Sequence, residues 1–218
     1  MSKKIRIAIA EDHTIVRKGL VAMLGTDEAF QMVADAANGR ELLQSLSPIN
    51  PPADVCLLDV NMPEMNGYET LVALKANYPA MRFLILTQLE HEYIIIRMLK
   101  AGASGYMLKD TEPAELKQAI RTILEQPYYN NKLVNGRLFS LVQNTKDYEK
   151  LSLTDREQEF LKLCCTELAY KEIASKMDIT ERTVAYYRES LFQKLQVKSR
   201  TGLALYALKL GLVPMGDT

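Results

Sequence analysis

The sequence predicts a five-stranded parallel, doubly wound α/β domain followed by a small all-α domain. Up to about residue 126, short apolar runs alternate with segments whose apolar residues recur at helical spacing. From Leu153 onward the pattern is helical throughout, with no strand signal. Nearly continuous apolar strands that alternate with amphipathic helices are typical of a parallel sheet covered on both faces.

Five strands and five helices alternate in the first part of the chain. The predicted strands are Ile5–Ala10, Phe30–Ala36, Val55–Asp59, Met81–Thr87 and Tyr106–Leu108. The predicted helices are Thr14–Leu24, a segment capped by Asn38 that runs to about Leu46, Gly67–Asn77, Glu92–Lys100, and a segment from Pro113 to about Gln126. We therefore predict that residues 1–126 form the first domain.

The pattern changes at Pro127, and residues 127–150 are predicted to be a linker that contains a short helix at Leu133–Val142. Residues 151–213 are predicted to form the second domain. Thr154 and Glu157 have the spacing of a capping box, Thr180 and Ser199 are predicted caps, and the later helices are Lys171–Met177, Glu181–Leu195 and Arg200–Leu210. Two helices joined by a tight turn, the second with a polar face, are typical of a DNA-binding helix-turn-helix.

Composition and charge agree with a DNA-binding protein of the cytoplasm. Hydrophobic residues make up 48% of the chain and charged residues 25%, and no apolar run is long enough to span a bilayer. Three cysteines without framework spacing argue against structural disulfides, and two isolated histidines argue against a zinc site. Residues 179–209 contain six basic and two acidic residues, although the whole chain has no net charge.

Polar residues follow four of the predicted strands. Glu11 and Asp12 follow the first strand, Asp59 ends the third, Thr87 ends the fourth and Lys109 follows the fifth. The carboxyl ends of parallel strands share one edge of the sheet, so these side chains are expected to meet. Clustered carboxylates suit Mg²⁺, with Asp59 as a nucleophile for phosphoryl transfer, Lys109 as a point charge and Thr87 as a hydroxyl donor.

These residues resemble the signature of response-regulator receiver domains, which have a flavodoxin-like fold. The resemblance covers about residues 4–126 and rests on Glu11-Asp12, Asp59 with the following Val-Asn-Met-Pro63, Thr87, and Gly105-Tyr-Met-Leu-Lys109. It implies that Asp59 is phosphorylated by a sensor histidine kinase. It also implies Mg²⁺ contacts from Asp12, Asp59 and the backbone carbonyl of Asn61, with Glu11 holding metal-bound water.

The resemblance further implies a conformational switch. Thr87 and Tyr106 match a pair in which a hydroxyl moves toward the phosphoryl group and an aromatic ring follows it inward. Gln88 departs from the family pattern, which usually has a small residue directly after the hydroxyl residue. The departure bears on access to the phosphoryl group and on the lifetime of the phosphorylated form.

The second domain resembles the LuxR-type helix-turn-helix of NarL/FixJ-class response regulators. The motif consists of Leu153-Thr-Asp-Arg-Glu157, Lys171-Glu-Ile-Ala174, Thr183-Val184, Lys194-Leu195, Arg200 and Gly211-Leu212. It implies double-stranded DNA as a partner and a homodimer through the last helix, and it makes RNA polymerase a further candidate partner. Tyr170 stands where the family usually has Asn, and Tyr186-Tyr187 replaces a stretch that commonly includes His.

Two groups of DNA contacts follow from this resemblance. The residues assigned to phosphate contacts are Lys171, Thr183, Tyr187, Arg188, Lys194 and Lys198, with Thr180 capping the recognition helix beside them. The residues assigned to base edges are Arg182, Ala185, Tyr186 and Glu189. A carboxylate such as that of Glu189 accepts a hydrogen bond from a cytosine amino group.

Two alternatives to a phosphorylation-controlled transcription factor remain at this point. The acidic site also suits a phosphotransferase or phosphatase, but such an enzyme would carry a second acid two residues after Asp59, where Asn61 stands, and would have a cap insertion. The other alternative is a phosphorylation-independent DNA-binding regulator, or an adaptor that uses the first domain for protein interaction. The complete acidic site argues against it, and Gln88 keeps it open.

Overall fold

The computed structural model describes residues 4–47, 53–88, 92–134, 153–195, 197–210 and 212–213. The chain divides into two compact units, Met1–Thr145 and Lys146–Thr218. The predicted helix at Leu133–Val142 lies mostly outside the described residues, as does the polar end of the predicted linker. The predicted domain limits at 126 and 151 therefore stay predictions.

The first unit is a five-stranded parallel sheet with the strand order β2-β1-β3-β4-β5. Its strands are β1 Ile5–Ala10, β2 Phe30–Ala36, β3 Val55–Leu58, β4 Arg82–Thr87 and β5 Gly105–Leu108. Its helices are α1 Thr14–Gly25, α2 Gly39–Leu46, α3 Gly67–Asn77, α4 Glu92–Lys100 and α5 Pro113–Glu125. These elements confirm the predicted order, with ends that coincide or differ by one residue.

Both faces of the sheet are covered. Every residue of β3 and all but the first of β4 are buried, and successive residues of a strand point to opposite faces. The local signals also hold: the Asn38 side chain accepts a hydrogen bond from the Glu41 backbone at 2.9 Å, and Pro113 lies in the first turn of α5. The apolar runs therefore became central strands because their side chains are buried on both sides of the sheet.

The second unit contains α6 Asp155–Cys164, α7 Tyr170–Lys176, α8 Glu181–Leu195 and α9 Arg200–Lys209. The predicted capping box at the start of α6 is formed by Thr154 and Glu157. All three cysteines are free, and Cys56 and Cys164 are buried. No helix among the described residues has the length and apolar character needed to cross a membrane.

Candidate phosphorylation site and nucleic-acid interface

Strand register brings the predicted acidic residues together. Ala10 pairs with Leu58 across β1 and β3, so the residues that follow them, Glu11 and Asp59, leave the sheet side by side. Thr87 pairs with Leu108 across β4 and β5, so Lys109, the residue after Leu108, leaves the sheet at the same edge. The backbone ladder continues into this edge, because the Asp59 amide donates to the Ala10 carbonyl at 2.9 Å.

The ammonium group of Lys109 lies between two buried carboxylates. Its Nζ is 2.7 Å from Glu11 Oε2 and 2.9 Å from Asp59 Oδ2. The other oxygen of Asp59 accepts a hydrogen bond from the Val60 amide at 2.7 Å. Glu11 and Asp59 are 1% and 4% exposed, so neither charge is well hydrated and Lys109 is their nearest counter-charge.

Burial is the largest single influence on the pKa of Asp59 and on that of Lys109. It raises the pKa of Asp59 to about 6; the Glu11 charge also acts upward, and Lys109 acts downward. Burial alone would lower the pKa of Lys109, but the Asp59 and Glu11 carboxylates outweigh it and hold that pKa above its ordinary value. One cation is thus shared between carboxylates that repel each other, which favours a further positive charge at this place.

His13 joins the cluster, although its sequence position gave no sign of this. Its Nδ1 is 3.1 Å from Glu11 Oε1 and 2.8 Å from Asp12 Oδ1. Asp12 Oδ1 is buried but has no hydrogen bond of good geometry among the described residues, despite that short distance. One ligand atom from each of Glu11, Asp12, His13 and Asp59 lies within 4.8 Å of the others. A set with three hard oxygen donors, one of them unsatisfied, fits Mg²⁺.

The two residues of the predicted switch pair, Thr87 and Tyr106, are both buried. Thr87 is 1% exposed and Tyr106 is fully buried, so the ring lies inside the unit. Burial raises the pKa of Tyr106; a hydrogen bond with Thr87 opposes that rise, and the Asp59 charge adds to it. Gln88 is exposed, directly after Thr87. Thr87 and Tyr106 are therefore a buried, hydrogen-bonded pair, and the charge of Asp59 acts on Tyr106.

The turn between α7 and α8 is short and locally hydrogen-bonded, as the predicted helix-turn-helix requires. The Ile179 amide donates to Ala174 at 3.0 Å and the Asp178 amide donates to Ser175 at 3.2 Å, which is a Schellman arrangement. Asp178 has a φ of 55°, in the left-handed region that this arrangement requires. Thr180 then caps α8, since its Oγ1 accepts from the Thr183 amide at 3.2 Å. The predicted cap is therefore present.

One face of α8 is exposed and the opposite face is core. Val184, Leu191 and Leu195 are buried, as predicted. On the other side, Arg182 and Glu189 are exposed and Tyr186 is 70% exposed. The remaining predicted contact residues divide into exposed Lys171, Thr180 and Lys198 and half-buried Thr183, Ala185, Tyr187 and Arg188.

Tyr170, which departs from the expected motif, lies at the contact between α7 and α6. Its ring stacks on Phe160, with the centroids 6.3 Å apart and the planes 15° apart. The guanidinium groups of Arg188 and Arg200 lie 5.6 and 5.4 Å from the same ring. Tyr170 therefore packs α7 against α6 and supports an arginine of α8.

The structure places Lys194, which was predicted to contact a DNA phosphate, in an ion pair within the second unit. Its Nζ lies 3.0 and 3.2 Å from the two carboxylate oxygens of Glu157, and its side chain is only 14% exposed. Glu157 is also the capping-box residue of α6, so the pair ties α8 to the start of α6. The charge of Lys194 is therefore paired with Glu157 inside the second unit.

Lys194→Met is expected to lower the free energy of unfolding of the second unit by about 2 kcal/mol, because Glu157 would stay buried without its counter-charge. Chemical denaturation followed by circular dichroism measures this loss. The matched control is Lys198→Met, at an exposed lysine, where stability is expected to stay within about 0.5 kcal/mol of the wild type. Equal losses in the two variants would contradict the assignment of the Lys194–Glu157 pair.

Comparison with known proteins agrees with both halves of this description. The family model of the response regulator receiver domain matches residues 7–121, and the model of bacterial regulatory proteins of the luxR family matches residues 151–207. The chain is 35% identical over 211 residues to the uncharacterized transcriptional regulatory protein YhcZ of Bacillus subtilis, covering 95% of this chain and 97% of that one. It is 33% identical over 203 residues to the nitrate/nitrite response regulator protein NarL of Escherichia coli K12, covering 92% and 93%.

A solved structure of the two-component response regulator RcsB in complex with DNA has the same fold. The TM-score is 0.67 at 24% identity, covering 95% of this chain and 99% of that chain. The chain belongs to the family of response regulators that combine a receiver domain with a LuxR-type regulatory domain. This confirms the predicted family and fold. The family consists of transcriptional regulators and not of enzymes, which removes the phosphotransferase alternative.

Proposed function

We propose that a sensor histidine kinase phosphorylates Asp59, and that this phosphorylation controls sequence-specific DNA binding by the second unit and so transcription. The observation that carries the proposal is the buried Asp59 carboxylate, 2.9 Å from Lys109 and beside Glu11 and Asp12, in a chain of the response-regulator family. The receiver domain is proposed to be residues 1–126, joined by residues 127–150 to the DNA-binding domain at 151–213.

In the proposed reaction an oxygen of Asp59 attacks the phosphorus atom of a phosphohistidine. The new O–P bond forms as the P–N bond breaks, and the electron pair of that bond returns to the imidazole of the donor. Mg²⁺ held by Asp12, Asp59 and the backbone carbonyl of Asn61, with Glu11 on metal-bound water, would offset the negative charge of the carboxylates and the phosphoryl group. Lys109 exchanges its carboxylate partners for phosphoryl oxygens, and Thr87 donates its hydroxyl hydrogen to them.

The second unit is proposed to place α8 in the major groove. Its base contacts are Arg182, Ala185, Tyr186 and Glu189, its phosphate contacts are Lys171, Thr183, Tyr187, Arg188 and Lys198, and Thr180 caps the helix beside them. The phosphorylated protein is proposed to bind as a homodimer in which α9 contributes to the interface, in the cytoplasm, with RNA polymerase as a further partner. The exposed polar face of α8 and the match to the luxR family support this.

Acetyl phosphate with Mg²⁺ tests the proposal on the full chain. The DNA probe is a fragment selected from a random-sequence pool by the protein treated in this way, and affinity for it is measured with and without the phospho-donor. Tighter binding after treatment, lost in Arg182→Ala, is the expected result. Equal affinity in both states would instead favour a phosphorylation-independent regulator.

A further inference from the structure

The segment that follows α5 turns back onto β5, the strand at one edge of the sheet. The Tyr129 amide donates to the Ser104 carbonyl at 2.8 Å, and Tyr129 is 8% exposed. A Cβ added at Gly105 would lie 3.2 Å from the Cβ of Tyr129, so the two chains are in close contact. Val134 is fully buried. Residues 129–134, at the start of the proposed joining segment, therefore pack against the first domain.

The side-chain amide of Asn131 bonds to β5 through its nitrogen and to the turn at residues 133–134 through its oxygen. Its Nδ2 donates to the backbone carbonyl of Tyr106 at 2.8 Å. Its Oδ1 accepts from the backbone amides of Leu133 at 3.0 Å and Val134 at 2.8 Å. One side chain thus joins the carbonyl of the buried switch tyrosine to the turn through which the chain continues toward the second unit.

The side chain of Tyr106 interacts with two residues of the predicted phosphorylation site. Its hydroxyl is hydrogen-bonded with Thr87, and the charge of Asp59 acts on it. Tyr106 is therefore bonded on its side chain to Thr87 and on its backbone carbonyl to Asn131. A movement of Thr87 that shifts Tyr106 changes the position of the carbonyl to which Asn131 is bound.

We propose that Asn131 is a positioning residue that couples Tyr106 to the segment leading to the second unit. The inference rests on the proposed phosphorylation of Asp59 and adds the route by which it is transmitted. The coupling depends on the hydrogen bond from Asn131 Nδ2 to the Tyr106 carbonyl. This side-chain bond joins residues 131–134 to Tyr106, the residue with which Thr87 is hydrogen-bonded.

Asn131→Asp separates this link from the local turn. A carboxylate keeps an oxygen that accepts from Leu133 and Val134, but it has no hydrogen to donate to the Tyr106 carbonyl. The matched control is Asn130→Asp, which adds the same charge at an exposed neighbour. Asn131→Ser is a second variant: its hydroxyl accepts from a nearby amide but is too short to replace the amide donor.

Hydrogen exchange of the full chain, with and without acetyl phosphate and Mg²⁺, tests the coupling. In the wild type and Asn130→Asp, phosphorylation is expected to change exchange at Leu133 and Val134 by about fivefold or more. In Asn131→Asp and Asn131→Ser that change is expected to fall below about twofold. Acyl phosphate formation and the exchange response of β5 are expected to persist in both.

The outcomes separate this inference from the proposed function. A wild type that takes up no phosphoryl group overturns both. A wild type that is phosphorylated and responds in β5 but not at residues 131–134 overturns the coupling alone. An Asn131→Asp or Asn131→Ser protein whose residues 131–134 still respond like those of Asn130→Asp also overturns it. Loss of the response in both Asn131 variants, with β5 still responding, establishes the link.

Discussion

Asp59→Asn is expected to abolish incorporation of the phosphoryl group completely, with Mg²⁺ and acetyl phosphate present. An amide has nearly the shape of a carboxylate but does not form the acyl phosphate, so the rest of the site stays in place. Intact-protein mass spectrometry measures the incorporation. Asp110→Asn is the matched control, because Asp110 is an exposed acid next to Lys109 and its loss changes the net charge equally. Undiminished incorporation in Asp59→Asn would place the acceptor elsewhere.

The same variant is expected to be more stable than the wild type in metal-free buffer. The folded-state pKa of Asp59 is about 6 against an ordinary 3.8, because the carboxylate is buried beside other acids. The stabilising contribution of this group is therefore complete below about pH 3.8 and is lost as pH rises through about 6. Asp59→Asn is expected to gain stability relative to the wild type over that interval, by up to about 3 kcal/mol at pH 7.

Thermal unfolding at pH 4 and pH 7 measures this dependence. The Asp110→Asn control is expected to show no comparable gain, since an exposed carboxylate is hydrated in both states. An Asp59→Asn protein that is less stable than the wild type at pH 7 would show that Lys109 holds the carboxylate more strongly than burial destabilises it.

The fold and the centre of the acidic site were predictable because both depend on short-range patterns. Strands buried on both faces are continuous apolar runs, and parallel strands end at one edge of a sheet. Those two rules predict that Glu11, Asp59 and Lys109 lie at one edge, the register of β1 with β3 places Glu11 and Asp59 side by side, and Lys109 contacts both. Capping residues such as Thr154 and Asn38 were equally local, since their partners lie three residues away.

Contacts between residues far apart in the chain were not predictable in the same way. Lys194 has the sequence context of a DNA-contacting lysine, and only the packing of α8 on α6 shows that Glu157 neutralises it. Asn131 lies in a segment predicted to be a linker, yet it binds the carbonyl of a residue 25 positions earlier. The contacts of His13 with Glu11 and Asp12 are local, but its place in the four-residue cluster depends on β3, which brings Asp59 to the same point.

Gly67→Ala is expected to cost at least about 3 kcal/mol of stability and to slow phosphorylation by about 100-fold. A Cβ at Gly67, the first residue of α3, would lie 2.1 Å from the Asp59 carbonyl oxygen and 2.8 Å from the Val60 Cα. The backbone cannot yield there without moving Asp59, because the Gly67 amide also donates to the Val60 carbonyl at 2.9 Å. Denaturation and the rate of phosphoryl incorporation measure the two effects.

Gly19→Ala is the matched control for this substitution. Gly19 lies inside α1, and apart from its chain neighbours and the local backbone of α1 itself, no atom of the described residues lies within 4 Å of the position its Cβ would take. Alanine is the better helix former, so this variant is expected to gain about 0.5–1 kcal/mol and to keep the wild-type rate of phosphorylation. A Gly67→Ala protein that matched Gly19→Ala in both measurements would show that the start of α3 can move away from Asp59. The close approach of α3 would then have no part in holding the acceptor in place.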